Sequence, residues 1–511
     1  MEYFEASRGK SSRIVRPDSM LHLLLREENM VTQWSQSIGH RSVLNFAGAC
    51  LATVLAVALS ACSSSSATNT GTTPPPAAKT PVQVSMGDAP ADWMLAFTMN
   101  ISSMSLTGSN GSVSVISSPM PMEMMHLMGT MQPIAMISAP QGTYTGASIT
   151  ISSVTVMYMD PVTLTPVQAT IPGPISGNVT FGNSVTVGST PMAMGFDLDL
   201  ANSVTVGSSG ALSMNPVFHV TSGMQGSGNP LDPSDGGIQE MMGMVSSVSG
   251  SSFSMSSMQA AQNFTFATNS STVFDGTSMS AMGSGMLLLV DASLQSDGTL
   301  MAARVQSMMG SGGMMGGGMI TAVTGQPATS LTIIMQNGVG SGMMSSMFAD
   351  GATVDLTGVS AYDIDDDTVD MSGLPFVPVF NSGHIYAGQS VMPISSSGMM
   401  SGGGMGGGMM GGTTMAGTIN ATKVELEPQG LSGTVATPLA SGAQTSFKLT
   451  LPTPCAFTSL TGATSVTVYQ QTKTVISTGS SIAGGSTVHV NGLLFLDGGQ
   501  WKMVAARIGS I

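Results

Sequence analysis

From Val82 onward the sequence consists largely of short runs in which apolar and polar residues alternate. Gly, Pro and Asn separate the runs, of which VQVSM (82–86), ASITISSVTVMYM (147–159) and FDLDL (196–200) are examples. This alternation has the period of a β-strand, whose successive side chains point to opposite faces of a sheet. Charged residues make up only 8% of the chain, which disfavours long solvated helices. The sequence therefore predicts an all-β protein.

The first predicted domain spans residues 82–221 and is a β-sandwich, because its strands are short and closely spaced. It contains the motifs GDAPAD (87–92), PQGTY (140–144), FDLDLANSVTV (196–206) and MNPV (214–217). In this order they resemble domain-of-unknown-function family 4382. The resemblance implies a sandwich on a secreted lipoprotein, and it implies no activity.

The rest of the chain contains three copies of a repeated unit, at residues 238–308, 318–428 and 430–511. The copies open with GMVSSVSG (243–250), GMITAVTG (318–325) and GTVATPLASG (433–442), and their endings align Arg304, Lys423 and Arg507. Such a series predicts repeated small units instead of one large fold. The first copy resembles domain-of-unknown-function family 5666, which implies an OB-like barrel of about five strands. We therefore expect one sandwich followed by three small barrels.

Residues 1–61 are expected to be an N-terminal extension and a signal peptide. The apolar stretch 43–61 follows Arg41 and ends in Leu59-Ser60-Ala61-Cys62, which resembles the box of bacterial lipoproteins and predicts lipidation of Cys62. A plain transmembrane helix is the alternative. Met30 is a plausible start, and residues 62–81 are rich in Ser, Thr and Pro, as expected of a tether. The predicted location is the cell envelope, at the outer membrane or cell surface, with the lipid as the membrane contact.

Charge and cysteine content exclude several classes of protein. The net charge is −14, and six of the 13 basic residues precede Cys62, so no basic surface for nucleic acid is expected. Cys455 is the only thiol after Cys62. We expect it to be a buried apolar residue, with no disulfide and no zinc finger.

No catalytic constellation is found, so a non-enzymatic protein without a cofactor is predicted. The histidines after Cys62 have no partner at metal-ligand spacing; they are His126, His219, His384 and His489. An OB-like barrel could bind oligosaccharide with exposed rings. The basic groove is missing, however, and core packing is the favoured role of four rings in the first copy, namely Phe253, Phe264, Phe266 and Phe274.

The densest charge lies between Tyr362 and Asp370. Asp363, Asp365 and Asp367 alternate there, as oxygen ligands of Ca²⁺ often do. The EF-hand pattern fails because Thr368 stands at the turn glycine and Leu374 at the final glutamate position. A solvated acidic loop is the favoured interpretation.

Methionine is unusually frequent, with 47 residues. In the cluster 119–131, core packing is expected of Met124, Met125, Leu127 and Met128. Two Gly/Met tracts cannot build a core, so their thioethers are expected to be exposed, as ligands for Cu(I) or Ag(I) or as passive low-complexity insertions. The candidate ligands are Met308, Met309, Met314, Met315, Met319, Met399, Met400, Met405, Met409 and Met410.

The functional prediction is an exported, lipid-anchored binding or structural protein of the cell envelope, with an unknown ligand. Soft-metal sequestration through the methionine-rich tracts is one alternative. A surface adhesion or carbohydrate-binding module is the other.

Overall fold

A computed structural model describes residues 77–89, 91–160, 163, 165–207, 211–224, 236–257, 259–260, 262–308, 316–336, 351–395, 418–438, 445–477 and 482–510. These residues form β-strands joined by turns, with only three short helices of three to six residues among them. The predicted all-β class is thus confirmed. None of the helices in these ranges is long and apolar enough to span a bilayer.

The N-terminal part is built from two sheets that face each other. One has the strand order β11-β8-β1-β5, and the other has β3-β2-β6-β7 with β4 paired to β2; β9 and β10 form a separate pair. Alternate residues such as Val84, Met99 and Phe196 are fully buried between the sheets. The elements are β1 (Lys79–Ala89), β2 (Met94–Gly108), β3 (Gly111–Ile116), β4 (Met120–Glu123), a 3-10 helix (Met125–Leu127), β5 (Met131–Pro140), β6 (Gly142–Met159), β7 (Pro166–Val187), β8 (Met192–Asp199), α1 (Leu200–Ser203), β9 (Val204–Val206), β10 (Leu212–Met214) and β11 (Phe218–Met224).

The first barrel follows. Its sheet has the order β14-β13-β12-β16-β17-β15, and it closes because β14 also pairs with β17, in parallel, with Phe266 opposite Leu300. Phe253, Phe264 and Phe266 are buried in its core and Phe274 packs against it, which confirms the predicted role of these rings. The strands are β12 (Gly237–Ser249), β13 (Ser252–Ser257), β14 (Asn263–Ala267), β15 (Val273–Asp275), β16 (Leu287–Leu294) and β17 (Leu300–Ser307).

The second barrel repeats this order as β21-β24-β22-β18-β19-β20-β23. Only Ala421 and Thr422 separate β23 from β24, so the two are halves of one final strand, and the parallel pair β20–β23 closes the ring. Its strands are β18 (Gly318–Gly325), β19 (Ala328–Met335), β20 (Ala352–Asp355), β21 (Ala361–Ile364), β22 (Ser390–Ile394), β23 (Thr418–Asn420) and β24 (Lys423–Glu427).

The third barrel is closed in the order β25-β26-β27-β29-β28. Here one long strand, β27, supplies both parallel pairings to the final strand. The elements are β25 (Gln429–Pro438), β26 (Thr445–Thr450), α2 (Ala456–Thr461), β27 (Ser465–Ile476), β28 (Thr487–Asp497) and β29 (Gln500–Ser510).

The three barrels match at their closing strands. Arg304 lies opposite Val273, Lys423 opposite Ala361, and Arg507 opposite Val475, each in a parallel pair. The alignment of these three cations from the sequence therefore corresponds to one structural position in each barrel.

The hydrophobic cores are not equally separate. The first barrel has a core of its own, whereas the core of the second includes side chains from β28 and β29 of the third, among them Phe495 and Val504. A further buried cluster joins the sandwich to both later barrels through Met157, Met319 and Ala456. The β-units thus meet at shared apolar surfaces.

Candidate metal centre

Three carboxylates meet where the first barrel faces the second. They belong to Glu240 in β12, Asp365 just after β21 and Glu427 at the end of β24. One oxygen of each lies within 4.8 Å of the other two. We call this group the acidic triad. In the part of the chain that the structure describes, it is the one set of three His, Cys, Asp or Glu ligand atoms so close together.

A bulge in β12 directs Glu240 away from the barrel core. The pairing of β12 with β16 shifts register between Ile238 and Met241, and Glu240 has a positive φ of 47°. Its N–H donates to Asp291 Oδ1 at 2.8 Å. A non-glycine residue in this region costs about 1–3 kcal/mol. The bulge leaves Ile238 and Met241 fully buried in the core while Glu240 takes part in the junction between the barrels.

Asp365 and Glu427 are brought together by the parallel pairing of β21 with β24. The backbone N–H of Asp365 donates to the carbonyl of Leu426 at 3.0 Å, so Asp365 lies beside the residue that precedes Glu427. These two carboxylates are more than 60 positions apart in the sequence, and only the closing strand makes them neighbours.

Burial and mutual repulsion perturb all three carboxyl groups. Burial, together with the charge of Asp365, raises the pKa of Glu240 and of Glu427 well above its usual value. Burial also raises the pKa of Asp365 itself. A hydrogen bond joins the carboxyls of Glu240 and Asp365. Without a cation, the triad therefore retains protons that isolated carboxylates would release.

The cations near the triad do not neutralise the negative charge of its carboxylates. The three carboxylates of the triad line a small cavity. Asp291, Glu425 and Arg304 line it as well. The guanidinium of Arg304 forms ion pairs with Asp275, at 3.3 Å, and with Asp367. Lys423 Nζ pairs with Asp363 at 3.1 Å and Glu425 at 3.3 Å. Both nearby cations are thus shared with carboxylates outside the triad.

A second cavity of about 90 Å³ adjoins the triad, and residues of the sandwich and all three barrels line it. We call it the junction cavity; Glu240 and Glu427 belong to its wall. Three more oxygens of its lining residues are buried without a hydrogen-bond partner, namely Gln132 Oε1, Gln259 Oε1 and Thr368 Oγ1. Thr368 is only 7% exposed. Because buried acceptors normally have a donor, this wall is suited to water or a cation.

The acidic run is not one calcium loop. Asp363 pairs with Lys423 and Asp367 with Arg304, so only Asp365 turns to the triad. The expectation of a solvated loop holds for the exposed Asp366 and Asp367. It is wrong for Asp365, because parallel pairing with β24 places its carboxyl group against Glu240.

The methionine predictions have different outcomes. Met124, Met125, Leu127 and Met128 are buried, as predicted for core residues. Met308 and Met319 are also buried, at 9% and 4% exposure, because they pack against apolar side chains of the junction. The expected exposure is therefore wrong at these two positions. The remaining candidates lie outside the described residues, and so does Cys62; they are Met309, Met314, Met315, Met399, Met400, Met405, Met409 and Met410.

Cys455 and three of the histidines, namely His219, His384 and His489, do not belong to the triad. Cys455 is buried, as predicted, and burial raises the pKa of its thiol. Burial, with the charge of Arg507, lowers the pKa of His489 to about 4. His219 Nε2 is 3.4 Å from Asp199 Oδ2, and His384 is exposed. None of these histidines belongs to a group of metal ligands among the described residues.

Sequence reasoning missed Glu240 and Glu427 as site residues. One signal was available, since only four glutamates follow Cys62, namely Glu123, Glu240, Glu425 and Glu427. Glu240 and Glu427 form the triad with Asp365, and Glu425 lines the small cavity beside them. In a chain so poor in glutamate, each one inside an apolar strand indicates a specific role.

Comparison with known families gives a match for the first barrel. Residues 242–306 match the model of a family described as Domain of unknown function (DUF5666). This match covers the first barrel from β12 to β17 and supports the resemblance seen there. It begins after Glu240, so the triad lies outside the matched segment. No curated protein matches the chain.

Proposed function

We propose that this protein is a lipid-anchored structural protein of the cell envelope whose first and second barrels are held together by Ca²⁺. The observation that supports the proposal is the acidic triad, in which Glu240, Asp365 and Glu427 approach within 4.8 Å. The ligands come from both barrels, so a bound cation would link them directly. The role is non-enzymatic, in agreement with the absence of a catalytic motif in the sequence.

The donor chemistry favours a hard divalent cation. Carboxylate and neutral oxygens are the ligands that Ca²⁺ prefers, and extracellular Ca²⁺ modules bind with a Kd of about 10⁻⁴–10⁻³ M. The unpartnered Thr368 hydroxyl is a further oxygen in the adjoining cavity wall. Bound Ca²⁺ would replace the protons that burial retains on Glu240 and Glu427. Affinity should therefore increase as the pH rises.

Calorimetry on the EDTA-treated full-length protein tests the proposal. Ca²⁺ should bind at about one site, and Glu240→Gln or Asp365→Asn should weaken binding about tenfold or more, since each removes a charged ligand. Asp366→Asn is the matched control, because Asp366 is adjacent but exposed and outside the triad. Mg²⁺ and Mn²⁺ titrations establish selectivity. A folded wild-type protein that binds none of the three cations would disprove the proposal.

Binding should also stabilise the two barrels. A ligand at 100 times its Kd adds about 2.7 kcal/mol to the free energy of unfolding. Thermal unfolding with and without Ca²⁺ measures this gain. In Glu240→Gln the gain should fall to about half or less, as a tenfold or larger loss of affinity requires, and in Asp366→Asn it should persist.

The anchor is tested independently. Cys62→Ser should abolish labelling with a fatty-acid analogue and release the protein from membranes, because the sequence Leu59–Cys62 supplies the lipidated residue. Ca²⁺ binding should be unchanged in this variant. Persistent lipid labelling would disprove the anchor and leave the cation site unaffected.

A further inference from the structure

Six methionines line the junction cavity. They come from the sandwich, the first barrel and the second barrel, so no single unit contains the set. These residues are Met125, Met128, Met131, Met242, Met319 and Met392. Ordinary apolar packing would not require polar neighbours, yet the same wall includes His126 and several amide side chains. The cavity therefore combines thioethers with a ring nitrogen donor.

The orientation of His126 is fixed by a buried carboxylate. Glu123 Oε2 accepts a hydrogen bond from His126 Nδ1 at 2.9 Å. Glu123 is fully buried, and its oxygens also accept from the backbone N–H groups of Phe97, Met125 and His126. With its proton on Nδ1, the ring carries its lone pair on Nε2. A carboxylate that holds the first ring nitrogen is the usual support of a metal-bound histidine.

The second ring nitrogen belongs to the junction cavity. His126 Nε2 lies 3.5 Å from the side-chain nitrogen of Gln259, another lining residue. The His126 side chain is 17% exposed, so solutes can reach the ring. Gln259 itself is 5% exposed and its Oε1 has no partner. Nε2 thus faces a polar opening, in which its contact with Gln259 is a long one and the charged side chains of Glu240, Glu427 and Arg507 belong to the same wall.

We propose that the junction cavity binds a soft monovalent cation, Cu(I) or Ag(I), through His126 Nε2 and thioethers of the lining methionines. Thioether is a soft ligand that favours Cu(I), and imidazole also suits copper. Among the described residues, His126 belongs to no group of three His, Cys, Asp or Glu ligand atoms within 4.8 Å of one another. Zn²⁺ therefore lacks a donor set there. Neutral donors match a single positive charge.

This site differs from the acidic triad in its chemistry. The triad offers charged oxygens, whereas the proposed site uses nitrogen and sulfur. Binding of the soft cation does not require the Ca²⁺ proposal to be correct. It also differs from the predicted role of the Gly/Met tracts, because His126 and five of the six lining methionines lie outside those tracts, Met319 being the exception.

The test is a titration of the EDTA-treated full-length protein with AgNO₃, and with Cu(I) under ascorbate and a competing chelator. Wild type should bind about one ion tightly. His126→Asn should lower the affinity about tenfold or more, and so should Glu123→Gln, which weakens the carboxylate support of the ring. Met242→Leu combined with Met319→Leu should weaken binding while conserving core volume.

Matched controls separate the site from nonspecific binding. Met244→Leu alters an exposed methionine two positions from Met242 on the same strand, and His384→Asn alters an exposed histidine. Both should bind Ag(I) as wild type does. Asp365→Asn should also retain Ag(I) binding, because Asp365 belongs to the triad and not to the lining of the junction cavity.

Folding of each variant is checked by circular dichroism and by ¹³C-methyl methionine spectra. Unchanged Ag(I) affinity in folded His126→Asn would overturn the proposal. So would loss of the tight site on deletion of residues 309–315 and 399–412, since the tracts would then hold the metal. No tight Ag(I) or Cu(I) site in the wild type would overturn it equally.

Discussion

The first and second barrels share one strand order but differ in the chemistry of their closing strands. Counting from the matched pairs Val273–Arg304 and Ala361–Lys423, four positions further along the chain, the first barrel has Thr277 and Met308. The second barrel has Asp365 and Glu427 at the same places. One topology therefore carries a neutral pair in one copy and two carboxylates of the acidic triad in the other.

The two barrels thus keep the same apolar residue at an inward-facing position and differ in the residues that face a neighbouring barrel. Val305 and Val424 occupy equivalent core positions and are both fully buried. The triad is completed by Glu240, which the first barrel contributes through its bulge. Neither barrel alone holds the site, so the junction is the functional unit.

Two core substitutions, which should cause the largest losses of stability, test how separate the hydrophobic cores of the barrels are. Phe495 of the third barrel is 2% exposed and packs against Phe376 of the second, with ring centroids 5.9 Å apart. Phe495→Ala should cost about 3–5 kcal/mol and should accelerate hydrogen exchange in the second and third barrels together. Phe266→Ala, which removes a ring stacked on Phe253 at 5.4 Å, should cost a similar amount and affect the first barrel.

Hydrogen exchange with mass spectrometry distinguishes the two cases. If Phe266→Ala accelerated exchange in β18–β24 as much as in β12–β17, the first barrel would not have an independent core. The first and second barrels would then unfold as one cooperative unit.

The fold was largely predictable because its determinants are local. Alternating runs and turn residues identify the strands, and the aligned cations Arg304, Lys423 and Arg507 identify the repeat. The site was not predictable in the same way. Asp365 was visible in its acidic run, but its partners Glu240 and Glu427 lie 125 and 62 positions away in the sequence. Their meeting depends on a bulge and on packing between barrels, which periodicity does not encode.

The next prediction concerns pH. Because burial raises the pKa of Glu240 and of Glu427 above 4.5, the folded protein binds more protons than the unfolded chain above about that pH. Stability of the Ca²⁺-free protein should therefore fall as the pH rises, by about 1.4 kcal/mol per pH unit for each retained proton. Glu427→Gln should reduce this slope and abolish the Ca²⁺ effect.

A carboxylate of the second barrel with the opposite shift is the control. Hydrogen bonds from Thr357 lower the pKa of Asp355, so its stabilisation is present at neutral pH and is lost in acid. Asp355→Asn should leave the decline above pH 4.5 unchanged. Denaturant unfolding at several pH values, with EDTA and with Ca²⁺, measures each slope. A Ca²⁺-free wild type whose stability rises between pH 5 and 8 would contradict the assignment.

A smaller effect is expected at a single buried acid far from the triad. Burial raises the pKa of Asp92 to about 7, and its Oδ1 accepts from the Ser432 N–H of the third barrel at 3.0 Å. Its contribution should be lost as the pH rises from about 4 towards 7, without any response to Ca²⁺. Asp92→Asn should flatten this part of the pH profile in EDTA and in Ca²⁺ alike. A Ca²⁺-dependent change in this variant would show that the contact between Asp92 and the third barrel is coupled to the acidic triad.

The smallest expected effect comes from Arg304, the cation of the first barrel that faces the acids of the second. Its ion pairs with Asp275 and Asp367 involve carboxylates that are 55% and 43% exposed, and pairs of this kind contribute about 0–1 kcal/mol. Arg304→Gln should therefore change stability by no more than about 1 kcal/mol.

The charge of Arg304 also lowers the pKa of Asp365 and of Asp291, against the effect of burial. Removing it leaves the triad more negative in its surroundings, so Ca²⁺ affinity should rise slightly at low ionic strength and return towards the wild-type value at about 1 M salt, where charges are screened within about 3 Å. Calorimetry at two salt concentrations measures this, with Lys448→Gln, a change on β26 of the third barrel, as the control. Weaker Ca²⁺ binding in Arg304→Gln would mean that the guanidinium positions the acids, and the junction would then depend on the first barrel for geometry as well as for Glu240.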